Sequence, residues 1–228
     1  MLPPTMFFSL TSTSFHHLML FPVWLHLPGV YSFPILSGHF LACCILDPIS
    51  YAQRKECLRI LQSFRALVVP AFETQQYKVA NLPESKAEVV KRLDLGTLLT
   101  FRYHDWPQGH EATNFVRWRT STQPYSVAWT EAFEPYVVVH RNSVPNFDTR
   151  FVGFGWNKVS HMMRLASEGW EFVVLPDVFL LHLPHAPSLD ITRFRADSSY
   201  RACLDALKHN FTRELGEKKR RNLINENL

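Results

Sequence analysis

From residue 67 onward the apolar positions follow two alternating rhythms. Leu67-Val68-Val69 is a short run of β-forming side chains stopped by Pro70. Ser85-Lys86-Ala87-Glu88 is a capping-box pattern, in which a serine hydroxyl and a glutamate carboxylate satisfy free N–H groups of a first helical turn. The helix it opens turns Val89, Val90 and Leu93 inward and ends at Gly96, where a left-handed residue closes it. Thr97 to Tyr103 reads as a strand, and Tyr136-Val-Val-Val-His140 as a buried one. Asn157 to Ser167 is a second helix, with Val159, Met162, Met163 and Ala166 on one side and Gly169 beyond its end. Trp170 to Leu175 and Val178 to His182 are two further strands around Pro176-Asp177. Tyr200, Cys203, Leu204, Leu207, Phe211 and Leu215 form an apolar stripe at helical spacing. Strands alternating with helices predict an α/β fold, a mixed sheet covered by helices.

Between His104 and Pro135 the pattern predicts a long loop containing Trp118, Tyr125 and Trp129. Long loops in compact domains are functional or disordered, and this one is too aromatic for disorder. Its rings either present flat faces to sugars or nucleobases, or pack the loop onto the domain; the sequence leaves both open.

Composition divides the chain in two. Residues 1–46 contain no Asp, Glu, Lys or Arg, so all 24 basic and 20 acidic side chains fall after them. A membrane span needs about 20 apolar residues, whereas Pro22, Pro28 and Pro34 interrupt this stretch and no basic flank precedes it. It reads as a poor signal or anchor, as a buried irregular segment, or as a piece foreign to the domain that follows. The division expected is a charge-poor apolar segment at 1–66, a domain at 67–215 and a basic polar tail at 216–228.

The net charge of +4 is concentrated in Lys218-Lys219-Arg220-Arg221. No motif accompanies that run, so no nucleic-acid partner is expected. Cys43, Cys44, Cys57 and Cys203 have no Cys-x-x-Cys spacing, and neither a zinc knuckle nor a disulfide framework can be read from them. Asn210-Phe211-Thr212 is a glycosylation sequon on a predicted helix.

Two segments carry candidate chemistry. In Leu180-Leu-His182-Leu-Pro-His185-Ala-Pro, a histidine ends an apolar strand before a proline-stiffened turn, a rigid setting for a metal ligand. In Phe151-Val-Gly-Phe-Gly155-Trp-Asn-Lys158, two glycines let the backbone approach a ligand before a helix N-terminus that favours anions, or serve only the turn.

Together with Val69-Pro-Ala-Phe-Glu73, Gly96-Thr-Leu-Leu-Thr-Phe-Arg-Tyr-His104, Thr113-Asn-Phe, Trp118-Arg119 and Phe133-Glu-Pro-Tyr-Val-Val-Val139, these segments resemble the C-terminal glucuronyltransferase domain of the LARGE glycosyltransferases. The resemblance runs from about Leu67 to about Leu215. It implies a GT-A fold, truncated here at its nucleotide-binding half, and a Golgi lumenal enzyme held by a type II membrane anchor in the complete family member. The implied activity is manganese-dependent transfer of glucuronic acid from UDP-glucuronate to xylose, building matriglycan on α-dystroglycan. His182 matches the histidine that completes the manganese site, and Gly153, Phe154, Gly155, Trp156, Asn157 and Lys158 match the loop lining the sugar pocket. Lys158 offers a cation to a sugar carboxylate or phosphate, and His185 lies where it would reach the diphosphate. An inverting transfer requires a carboxylate base; Glu73, Glu134 and Asp148 are available, and the sequence does not choose among them.

The chain departs from the family at one point of chemistry: it contains no Asp-x-Asp, the motif that holds manganese in GT-A enzymes. The expectation is therefore a glycosyltransferase chain that is incomplete and inactive alone. A non-catalytic glycan-binding protein is the rival reading. A third, a metal-dependent hydrolase, requires His104, His110, His182 and His185 to converge on zinc.

Overall fold

Three short strands stand ahead of the main body: β1 (Met6–Ser9), β2 (Val23–Leu27) and β3 (Val30–Ile35). This computed structural model describes those strands and residues 64–75, 82–140, 143–184 and 186–225. The rest of the 1–66 segment, with the anchor and signal readings that fall on it, lies outside the described residues. Among them no helix is long and apolar enough to cross a membrane.

The body begins with β4 (Arg65–Val69) and β5 (Ala71–Glu73), separated by Pro70. Helix α1 (Lys86–Asp94) and the two-residue β6 (Leu99–Thr100) follow, then α2 (Gln108–Glu111), α3 (Phe115–Thr120), β7 (Tyr125–Val127) and β8 (Tyr136–His140). The second half comprises α4 (Asn157–Ser167), β9 (Glu171–Val174), β10 (Leu180–His182), α5 (Leu189–Ala196) and the long α6 (Ser198–Asn225).

Five strands form one sheet in the order β1-β8-β4-β9-β7, and β10-β5-β6 form a second. β4 runs parallel to β9 and antiparallel to β8, so the main sheet is mixed, as the alternating pattern predicted. β1, from the charge-free segment, adds an antiparallel edge beside β8. Ala66, Leu67, Val68 and Val69 are all buried, which marks β4 as a central strand covered on both faces. Because Pro70 cannot donate a ladder hydrogen bond, the chain leaves the first sheet there and enters the second. That step places the end of β5 beside the end of β10.

The capping reading at α1 holds with one shift. Ser85 Oγ accepts from the Glu88 N–H at 3.3 Å, but the Glu88 carboxylate accepts from the Glu84 N–H, one residue upstream of the N-cap. Gly96, at φ 66°, closes the helix in the left-handed region. Replacing Ser85 with alanine is expected to lower stability by about 1 kcal/mol, read as a lower urea midpoint at unchanged slope.

Two expectations are corrected. The strand over 97–103 shrinks to Leu99–Thr100: the Phe101 N–H makes one more bond in register, to the Ala71 carbonyl at 3.0 Å, and Arg102 then turns left-handed at φ 59°. The long loop of 104–135 instead carries α2, α3 and β7. Its aromatic residues belong to the core: Trp118 is fully buried and donates Nε1–H to the Leu175 carbonyl at 3.2 Å, and the buried Tyr125 donates its hydroxyl to Thr113 O at 2.9 Å. Trp129 packs against the same core. Packing, not ligand display, accounts for these three rings.

A smaller core of Phe151, Val159, Met163, Leu204 and Phe211 ties α6 to α4. Of the predicted stripe, Cys203 is exposed and the rest face inward wholly or in part. The helix continues through the basic run as far as Asn225. Asn210 sits on its exposed side, where its side-chain Oδ1 accepts from the Arg213 guanidinium.

Candidate functional site

The second sheet brings its polar ends together. β5 and β10 run parallel, so Glu73 and His182 stand opposite one another, and the Thr74 N–H donates to the His182 carbonyl at 3.3 Å. Phe101 meets two imidazoles, its ring centroid 5.0 Å from that of His110 and 5.0 Å from that of His182. His110 also stacks on Tyr136 at 5.9 Å. The Lys158 ammonium sits 4.1 Å from the Tyr136 ring centroid, a cation–π contact.

Electrostatics follow from this packing. Burial holds the His110 imidazole well below its usual range, and the cations Lys158 and Arg102 push it further. It is therefore neutral, and its buried Nε2 has no hydrogen-bond partner among the described residues. Burial likewise drives the Tyr136 phenol well above its ordinary value, reinforced by Glu134 and Glu73 and opposed by Arg102. The Lys158 ammonium is lowered by burial and by Arg102, against the pull of Glu134. Among the described residues it meets no carboxylate and no hydrogen-bond acceptor, a costly arrangement for a half-buried charge. Two cations, two carboxylates, a phenol and two imidazoles thus surround one aromatic floor.

The glycine loop ahead of α4 is positioned by α6. Gly153, Gly155 and Trp156 are all left-handed, at φ 78°, 109° and 63°. A Cβ on Gly153 would lie 2.8 Å from the Tyr200 hydroxyl, and one on Gly155 would lie 2.7 Å from Leu204. The single proton of the Tyr200 hydroxyl is shared between the carbonyls of Phe154 and Val152, at 2.8 and 2.9 Å, and the Phe154 ring meets Phe194 at 5.2 Å. Both glycines therefore admit the protein's own helix against the loop. Trp156 packs on Phe151, with Lys208 over its ring, and Asn157 accepts from the Lys158 N–H. The clamp fixes the start of α4, and with it the lysine that reaches the cluster.

Of the sequence candidates, Lys158, His182, Glu73 and Glu134 come together around Tyr136 and Phe101. Asp148 does not: its carboxylate is engaged by Arg150, which also grips Glu214 through its two terminal guanidinium nitrogens, and the Arg150 pairing holds Asp148 below the usual carboxylate range. His185 lies outside the described residues. No three metal-binding side chains cluster among the described residues, so His104, His110 and His182 do not form a zinc site with one another. The sequence reading missed Tyr136, Phe101 and Arg102. Their only signal was a tyrosine heading an all-valine strand and an Arg in a run read as continuous β.

A sheet-and-helix domain with cations, carboxylates and aromatic rings gathered at strand ends suits the binding of hydroxylated, anionic ligands. The comparisons with known proteins make the class specific: the chain falls in a glycosyltransferase family. The family described as glycosyl-transferase for dystroglycan matches residues 45–215, and the chain belongs to it. It is 56% identical over 154 residues to xylosyl- and glucuronyltransferase LARGE1 of Danio rerio, covering 68% of this chain and 20% of that protein. Against LARGE1 of Homo sapiens it is 52% identical over 161 residues, covering 71% and 21%. Against LARGE2 of Mus musculus it is 57% identical over 153 residues, covering 67% and 22%. The chain thus spans about a fifth of the length of these relatives.

Proposed function

We propose that this chain serves the transfer of glucuronic acid from UDP-glucuronate to the terminal xylose of matriglycan on α-dystroglycan, on the lumenal side of the Golgi membrane. The observation that carries the reading is Lys158, a half-buried ammonium that makes no ion pair among the described residues and stands near Glu134, Tyr136 and Arg102. It supplies the cation for the uronate carboxylate or the diphosphate. Glu134 acts as the base: the acceptor hydroxyl gives up its proton to this carboxylate as its oxygen attacks the anomeric carbon and uridine diphosphate leaves. Gly153 through Asn157 set the loop that shapes the pocket, and His185 is the residue assigned to the diphosphate.

His182 is this chain's contribution to a manganese site. Manganese takes several hard oxygen donors, and the described residues provide this imidazole with Glu73 opposite and no third ligand. The residues present do not fit a complete site, and no step here runs through the ion.

The missing Asp-x-Asp favours a second reading, glycan binding without transfer. One assay separates them: the full chain with UDP-glucuronate, manganese and a xylose-terminated oligosaccharide. Glucuronylated product would establish the transferase reading; glycan binding without product would establish the second reading. Replacing Lys158 with glutamine is expected to weaken UDP-glucuronate binding about tenfold, the loss of one charge-assisted contact. Calorimetry checks it, with thermal stability unchanged or raised because a buried unpaired charge is removed.

A further inference from the structure

Once Trp118, Tyr125 and Trp129 are assigned to the core, one large ring of that region remains open to solvent beside the site. Trp106 is 42% exposed, and it is not loosely held. Its backbone N–H donates to Arg102 O at 2.9 Å, and its carbonyl accepts from the Gly109 N–H at 3.1 Å. Its indole lies directly on Gly109: a Cβ there would stand 2.4 Å from Trp106 Cδ1 and 3.1 Å from Glu134 Cγ. The Gly109 carbonyl in turn accepts from the Glu134 N–H at 2.8 Å. Gly109 thus carries the indole on its surface with the Glu134 side chain next to it. The turn that presents the ring begins at Arg102, a left-handed non-glycine residue braced by its ion pair to Asp105.

We infer that Trp106 and Glu134, joined across Gly109, form the acceptor-sugar subsite, with the indole as a stacking platform for the pyranose that receives the transferred sugar. A ligand fitting this pair must be apolar on one face and hydroxylated at its edge. A pyranose has that build, offering C–H bonds to an aromatic ring and hydroxyls to a carboxylate. The orientation also has a consequence for chemistry: a sugar lying on the indole brings an edge hydroxyl to Glu134, the base assigned above. The inference rests on that reading of the site and names the part of it that selects the acceptor.

The test measures binding of a xylose-terminated oligosaccharide to the full chain, without UDP or metal, by calorimetry or saturation-transfer NMR. UDP-glucuronate binding is measured alongside as the control. Trp106→Ala is expected to weaken glycan binding about tenfold, as removal of an aromatic anchor does, and to leave UDP-glucuronate binding unchanged. Trp106→Phe, which keeps a flat ring, is expected to retain binding within about threefold. Gly109→Ala, which drives the indole off its seat while leaving it in the chain, is expected to behave like Trp106→Ala. Glycan binding equal to the parent in Trp106→Ala would overturn the subsite and leave the transferase reading standing. A parent chain that binds no xylose-terminated glycan would overturn both.

Discussion

Changing Glu134 to glutamine is expected to reduce glucuronate transfer by about a hundredfold or more while leaving glycan and UDP-glucuronate affinities near those of the parent. Removing a general base costs about 10²–10⁴ in rate, and the amide keeps the shape and much of the hydrogen bonding of the carboxylate. Glu134 is held from two sides, by its backbone bond to Gly109 and by its position ahead of the buried Tyr136. It exerts its charge on both Tyr136 and Lys158. Glu73→Gln is the informative comparison, because Glu73 faces His182 across the strand pair and bears on Tyr136 from the other side. Separate determination of the rate constant and the two affinities decides the matter. A larger rate loss in Glu73→Gln than in Glu134→Gln would reassign the base.

The second large effect is a loss of stability in mild acid. His161 is buried in α4 and stacked on Phe147 with ring centroids 3.7 Å apart, and neither of its nitrogens has a hydrogen-bond partner among the described residues. Burial, aided by Arg164 and resisted by Glu168, lowers its pKa from 6.5 to about 4. The unfolded chain therefore takes up a proton below pH 6.5 that the folded chain refuses until about pH 4. The stabilisation is complete above pH 6.5 and is lost as the pH falls towards 4, amounting to about 3 kcal/mol for this one group. His110, buried and depressed in the same direction, adds to it. Urea unfolding at pH 7 and pH 4 is expected to show this drop, and His161→Leu to remove about 3 kcal/mol of it. An identical pH dependence in the two proteins would refute the assignment to His161.

Much of the fold was legible because its rules are local. The Ser85 cap, the left-handed Gly96, the Val159/Met162/Met163 face of α4 and the all-apolar strands each follow from neighbours within a few residues. The region from 97 to 135 was not, since its outcome depends on distant partners. The chain turns away from β6 at the left-handed Arg102, once the Phe101 N–H has bonded the Ala71 carbonyl in register, and α3 is opened by Asn114, a left-handed cap whose side chain accepts from the Arg117 N–H. Six residues of helix give no periodic signal to read. The site divides in the same way. His182 and Lys158 stood in recognisable segments, whereas Tyr136, His110, Phe101 and Trp106 acquire meaning only when the strand switch at Pro70 brings three stretches of chain together. The glycines of the 151–156 loop illustrate the converse: a pattern that suggests close approach to a ligand is satisfied here by Tyr200 and Leu204.

The claim on which the functional account turns is that Lys158 awaits an anion carried by the sugar donor. A crystal structure of the full chain with UDP-glucuronate tests it most directly. The account predicts the uronate carboxylate or a phosphate oxygen at about 2.8 Å from Lys158 Nζ, with the ammonium drawn from the Tyr136 ring towards it. A nucleotide sugar bound elsewhere, with Lys158 still lying over Tyr136, would contradict it.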